Sequence, residues 1–158
     1  MENEDQNKIV SFQLGKEIYA IDIMDVKEIV KTQEVREIPN APPYVEGILN
    51  LRGVITPIIN LHKRFFFEKA QLSEEDELLS GFMIIEINDM ILGIIIDKIL
   101  RVIPIDEKDI KPPPKMIRGI GVEYIKGVVK ENDKYIIILN ISKLFNPKEL
   151  QQLGAIKE

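Results

Sequence analysis

The chain of 158 residues has no cysteine, no tryptophan, one histidine and four alanines. Without cysteine there is no disulfide framework, no thiolate nucleophile, no iron–sulfur ligation and no cysteine-bound zinc. A single histidine, His62, leaves no histidine cluster for a metal. Long apolar runs are missing as well. The run Met90–Ile96 stops at Asp97, whereas a membrane span needs roughly 20 residues. The opening stretch, Met1–Asn7, is acidic and lacks the basic-then-apolar layout of a signal peptide. Positive charge is not in excess: the net charge of −5 argues against a phosphate-backbone partner, which takes clustered Lys and Arg. The absences predict a soluble, cytoplasmic protein with no cofactor, no metal, no nucleic-acid partner and no direct membrane insertion.

What the chain has is isoleucine. It carries 29 Ile and 10 Val against 13 Leu, where ordinary usage favours Leu and Ala. Side chains branched at Cβ lose rotamer freedom on helices and pack well on pleated sheets. An all-β fold follows from that choice. Strands are expected at 8–14 and 17–23 around a Gly15-Lys16 turn, with Tyr19, Ile21 and Ile23 facing the core. Residues 25–30 read as a turn or short strand. Further strands are expected at 44–51 and 54–60, with Asn60 capping a helical turn to Phe65. Hairpins follow at 81–97 and 122–139, with a strand at 99–105 between them. Glu68–Ser80 reads as a solvated acidic linker, and Pro112–Pro114 as an extended connector. Asn146, Pro147, Glu149 and Gly154 stand where a capped C-terminal helix needs its N-cap, N1, N3 and stop.

The chain also repeats itself. Residues 44–65 align with 124–145 at a constant offset of 80, through identical Tyr44/Tyr124, Gly47/Gly127, Ile58/Ile138, Asn60/Asn140, Lys63/Lys143 and Phe65/Phe145. Upstream the offset is 73, matching Ile18/Ile91, Ile21/Ile94, Ile23/Ile96 and Pro39/Pro112, which implies a seven-residue insertion between Pro112 and Tyr124. Identical Tyr, Gly, Asn, Lys and Phe at one offset are not explained by aliphatic bias alone. Each copy then holds five strands, the count of a small barrel. The expected division is one unit over about 8–67, completed by the helix at 146–154, and a second over about 81–145.

A duplicated scaffold keeps in both copies what folding needs, so its asymmetries point to function. Where the second copy has the polar turn Lys130–Lys134, the first has Asn50-Leu51-Arg52-Gly53-Val54. An Arg among aliphatics on a rim can hold an acidic partner by a planar, paired contact; equally, it can pair internally with a carboxylate such as Glu28. The second asymmetry sets Val26-Lys27-Glu28-Ile29 against Ile99-Leu100-Arg101-Val102, where the charge changes sign. No phosphate-binding glycine loop and no nucleophile elbow is present. His62, beside Lys63 and Arg64, reads as a solvated surface residue. A barrel enzyme or small-ligand binder using His62 with Asp22 or Glu28 is the alternative from another class.

The same residues carry a resemblance. Phe12-Gln-Leu-Gly15, Tyr19–Ile23, Val26–Ile29, Ile38-Pro39 and above all Gly47-Ile-Leu-Asn-Leu-Arg-Gly53 are similar to the CheW-type chemotaxis coupling proteins, and the likeness runs from about Lys8 to Gly154. It implies two SH3-like, five-stranded β-barrel subdomains and a non-catalytic adaptor. The implied partners are the cytoplasmic tips of chemoreceptors and the regulatory domain of a CheA-type histidine kinase. The implied location is the inner face of the membrane, in receptor arrays. By this resemblance Arg52 and Glu28 are tied to partner contact and signalling. Val26, Ile29, Gly47, Asn50, Ile99 and Val102 join them as expected partner-binding positions.

Overall fold

The computed structural model describes residues 7–66, 68, 70–114 and 121–156; most of the acidic opening stretch, and residues 115–120 of the stretch where the insertion is expected, lie outside them. The first copy of the repeat forms β1 (Asn7–Leu14), β2 (Glu17–Asp22), β3 (Val26–Lys31), β4 (Val45–Leu51), β5 (Val54–Ile59) and the short helix α1 (Leu61–Phe65). A connector carrying α2 (Glu74–Glu77) leads to the second copy: β6 (Gly81–Ile87), β7 (Met90–Ile96), β8 (Lys98–Ile105), β9 (Ile125–Glu131) and β10 (Lys134–Leu139), followed by α3 (Pro147–Gly154). The all-β class holds.

Local chemistry explains the turns and caps. The Asn60 side chain accepts the Lys63 N–H, as an N-cap should. Asn146 and Glu149 form a reciprocal capping box with Pro147 in the first turn of α3. Gly154, expected as the stop, is instead the last helical residue, and Ala155 caps the helix in a right-handed conformation. Two hairpins turn through Asn88-Asp89 and Asn132-Asp133, all four at positive φ. Asn and Asp tolerate that region, which a two-residue hairpin turn requires. The strand expected from 122 starts later, because Val122–Tyr124 coils into a single 3-10 turn.

The sheets do not follow the expected division of the chain. One sheet has the order β8-β1-β2-β10-β9 and the other β3-β6-β7-β5-β4. Each sheet therefore takes its first hairpin from one copy and its last three strands from the other. The exchange is reciprocal: β1 pairs with β8 as β6 pairs with β3, both antiparallel, and β2 pairs with β10 as β7 pairs with β5, both parallel. The units at 8–67 and 81–145 are thus corrected. Hydrophobic alternation marks which residues form hairpins, but not which hairpin finds which partner.

The hydrogen-bonded order of each sheet is linear, and the chain leaving one edge returns to the other. After β3, Arg36 exchanges two backbone hydrogen bonds with Ile48 of β4, at 2.8 and 2.9 Å; after β8, Lys111 does the same with Val128 of β9. This equivalence sets Lys111 against Arg36 at an offset of 75, so two of the seven extra residues precede Lys111 rather than following Pro112. Gly47 and Gly127 make the bridges possible. A β-carbon at Gly47 would lie 2.3 Å from the Arg36 carbonyl oxygen, and one at Gly127 would lie 2.9 Å from that of Lys111.

The buried apolar residues, Ile foremost, form three clusters. A large shared core holds Val10, Phe12, Tyr19 and Ile21 from one sheet with Met83, Ile85, Leu92 and Ile94 from the other. Each sheet adds a smaller cluster of its own on its opposite face, around Ala20, Ile136 and Ile138 in one and around Ile58, Phe82 and Ile84 in the other. Ala20 is therefore as buried as Tyr19 and Ile21, and β2 lies between two cores instead of presenting one face outward. Where the copies meet, the Arg64 guanidinium sits 5.2–5.9 Å from four ring centroids, those of Tyr44 and Phe65 from the first copy and Tyr124 and Phe145 from the second. It also donates to the Leu144 carbonyl and pairs with Glu149 of α3 at 2.8 Å. Cation–ring attraction is worth about 0.5–2 kcal/mol at such sites.

Candidate partner-binding site

Arg52 and Gly53 form the two-residue turn between β4 and β5, at φ +51° and +88°. Arg52 thus occupies the left-handed slot that Asn88 and Asn132 hold in two of the other hairpins and Gly15 in the third. A side chain without the local hydrogen bonding of Asn is strained there, by about 1–3 kcal/mol. Asn50 supports the turn, its side-chain carbonyl accepting the Gly53 N–H at 2.8 Å. The Arg52 guanidinium then reaches Glu28 of β3 in an ion pair that leaves the arginine side chain 70% exposed. Because β3 and β4 are the two edges of one sheet, the pair spans the gap between them. Ile29, beside Glu28, is 41% exposed, and Val54, beside the turn, is 48% exposed.

The other sheet answers in reversed polarity. Arg101 of β8 pairs with Glu131 at the end of β9, again across two sheet edges. Val102 and Tyr135 are the exposed apolar neighbours. An exposed ion pair contributes about 0–1 kcal/mol, so either polarity clamps a sheet equally well. For a docking partner the two polarities are opposite instructions. The sign change at 28 and 101 was readable in the sequence; the reply from Glu131 was not, since it depends on two strands that pair with neither each other nor the same neighbour.

The eight expected positions divide among four places. Glu28, Arg52, Asn50 and Ile29 gather at one sheet edge. Val26 and Ile99 are half-buried against the shared core, at corresponding places in the two sheets. Gly47 is buried beneath the Arg36–Ile48 bridge. Val102 lies on the other sheet.

His62 is not on the surface. It is 8% exposed, with Nε2 2.9 Å from Asp97 Oδ2 and Nδ1 3.1 Å from Asn60 Oδ1. The expectation failed because α1 turns this face inward and leaves Lys63 and Arg64 to project elsewhere. Asp97 is fully buried and also accepts the backbone N–H groups of Gly15 at 2.8 Å and Ala70 at 2.9 Å. Burial pushes its carboxyl upward, but the bonds from His62, Ala70 and Gly15 outweigh it and hold the group below the usual carboxylate range. His62 shares the wall of a cleft of about 350 Å3 with Glu46, Asn60 and Phe82. Both of its ring nitrogens are engaged, and the companions considered for catalysis are elsewhere: Glu28 holds Arg52, and Asp22 caps the turn at Met24. Among the described residues, no group of three or more acids or histidines could hold a metal ion. No helix among them is long and apolar enough to cross a membrane.

The model of the CheW-like domain matches residues 8–149. The chain belongs to the CheW-like domain family. It is 58% identical to the chemotaxis protein CheW of Treponema pallidum over 154 residues, covering 98% of this chain and 91% of that one. It is 33% identical to the chemotaxis protein CheW of Helicobacter pylori over 143 residues, covering 90% and 84%. Among solved structures it is similar to the scaffolding protein TtCheW of Thermoanaerobacter tengcongensis, at a TM-score of 0.80 and 42% identity, covering 91% of this chain and 90% of that one. The relatives' names, chemotaxis protein and scaffolding protein, accord with a CheW-like chain whose polar groups clamp edges and staple loops.

Proposed function

We propose that this CheW-like chain is a non-catalytic adaptor of bacterial chemotaxis, coupling chemoreceptors to a CheA-type histidine kinase on the cytoplasmic side of the membrane. The family match over residues 8–149 carries the reading, and the partner site is assigned from Arg52: an exposed cation held in a strained turn position that Asn fills more cheaply in two sister hairpins. Strain kept at an exposed residue is characteristic of binding sites. In this reading Arg52 and Glu28 exchange their mutual contact for contacts to a partner, with Ile29 and Val54 supplying apolar area beside them. The half-buried Val26 and Ile99 lie at the seam of the two sheets, where an amphipathic receptor helix would bury its apolar face.

The test is binding of the full chain to a CheA-type regulatory domain and to a receptor-tip fragment, followed by kinase activity in the reconstituted complex. Both fragments are expected to bind at low salt, and Arg52→Ala to lower kinase activation at least tenfold while the strand spectrum is unchanged. Binding of neither fragment overturns the adaptor reading. Full activation by Arg52→Ala removes Arg52 from the site and leaves the adaptor reading standing.

A further inference from the structure

The reciprocal exchange of hairpins has a consequence for how this chain meets a second copy of itself. The β1–β2 hairpin makes its lateral sheet pairings with β8 and β10, and the β6–β7 hairpin makes its own with β3 and β5. Each half of the chain is therefore completed by the other half and not by itself. The halves are joined by the connector from Phe66 to Ser80, none of whose described residues belongs to a core cluster. It is fastened at Ala70 to Asp97, at Asp76 to Lys98 and at Leu79 to Ile99, by contacts of 2.8–3.1 Å. The other described residues of the connector are exposed or half-buried.

We infer that this chain has a second, two-chain form in which the first half of one molecule pairs with the second half of another. Every strand pairing and the shared core are reproduced in that form, because the surfaces that meet are the same. Only the connectors change course, and they carry little of the burial. A short flexible linker holds its two ends at an effective concentration in the millimolar range. The single-chain form therefore dominates in dilute solution, and the exchanged form competes when the protein is folded at about millimolar concentration or when the connector is too short to close on itself. The edge-spanning pairs survive exchange, since Glu28 and Arg52 lie in the same half, as do Arg101 and Glu131. The two-chain particle thus carries two complete sets of edges.

The absence of native cysteine permits a direct test in the full chain. Gln13 and Lys98 face each other across β1 and β8, at a separation a disulfide can bridge. In Gln13→Cys/Lys98→Cys, the single-chain form closes the bond within one molecule and the exchanged form closes it between two. Refolding at micromolar concentration is expected to give one-chain species on a denaturing, non-reducing gel. Refolding at about millimolar concentration is expected to give a covalent species of twice the chain mass, and deletion of residues 71–77 to give that species at micromolar concentration. An ordinary surface dimer runs as single chains on the same gel and counts against the inference. One-chain species under all of these conditions, with the strand spectrum intact, overturns it. If the deletion variant does not fold, the concentration series of the full-length connector decides alone.

Discussion

Arg52 bears two opposing demands, one from its backbone and one from its guanidinium, and substitution separates them. Arg52→Asn places in the turn the residue already found at positions 88 and 132. It should raise stability by about 1 kcal/mol in urea unfolding while weakening partner binding as strongly as Arg52→Ala. Equal stability for the two variants argues that the turn is unstrained. Asp97 supplies a second residue-scale prediction. Its folded-state pKa lies below its unfolded value of about 3.9, so its contribution to stability is complete above that value. The contribution is lost as pH falls through the lower, folded pKa. Asp97→Asn should cost about 1–3 kcal/mol near pH 7, and the gap between variant and parent should narrow when urea unfolding is repeated near pH 3. A gap independent of pH means that the side chain acts by shape alone. Neither the burial of His62 nor its pairing with Asp97 was legible beforehand. The two lie far apart in the chain, and a basic neighbourhood such as Lys63-Arg64 is equally compatible with a helix turned outward or inward.

At the scale of the element, sequence was a good guide, because hairpins, caps and turns are short-range. The capping box of Asn146 and Glu149, the N-cap at Asn60 and the Asn-Asp turns stand where residue chemistry placed them. The two bridges that join opposite sheet edges were not visible, because each pairs an isolated loop residue, Arg36 or Lys111, with a distant strand. The pair of matching glycines was the clue. Gly47→Ala and Gly127→Ala should each destabilise the chain by about 1–3 kcal/mol, since the new methyl group meets the carbonyl of a residue that two backbone hydrogen bonds hold in place. Exchange of the Arg36 and Ile48 amides with deuterium should accelerate in the first variant, and that of Lys111 and Val128 in the second. Normal protection in both would show that the bridges tolerate a side chain. If Gly47→Ala impairs partner binding, these amide rates also tell whether the site moved with the bridge.

For the whole molecule, duplication was legible and the exchange of hairpins was not. Six identities at one offset reveal two copies, but a copy that completes itself and one that completes its twin have the same pattern of apolar residues. The Ile excess acquires a spatial reason from the structure. A sheet with a shared core on one face and its own core on the other needs aliphatics on both sides of its central strands, and Ala20, Ile21 and Ile138 are all buried.

The ring cage around Arg64 has a consequence in the language of symmetry. Two copies related by a half-turn share one axis, and a point on that axis belongs to both and has no twin. Tyr44 and Tyr124, Phe65 and Phe145 are such related pairs, and the guanidinium nearly equidistant from them marks the axis. One cation fits there, so perfect repetition is forbidden at this position: the counterpart of Arg64 has to be something other than Arg, and it is Leu144. Leu144→Arg should therefore destabilise the chain more than Arg64→Leu does, by crowding two charges into one cage. The double change, Arg64→Leu with Leu144→Arg, should recover the ring contacts but not the bond to Glu149. A duplicated protein need not drift apart for function alone; at its axis, geometry obliges the copies to differ.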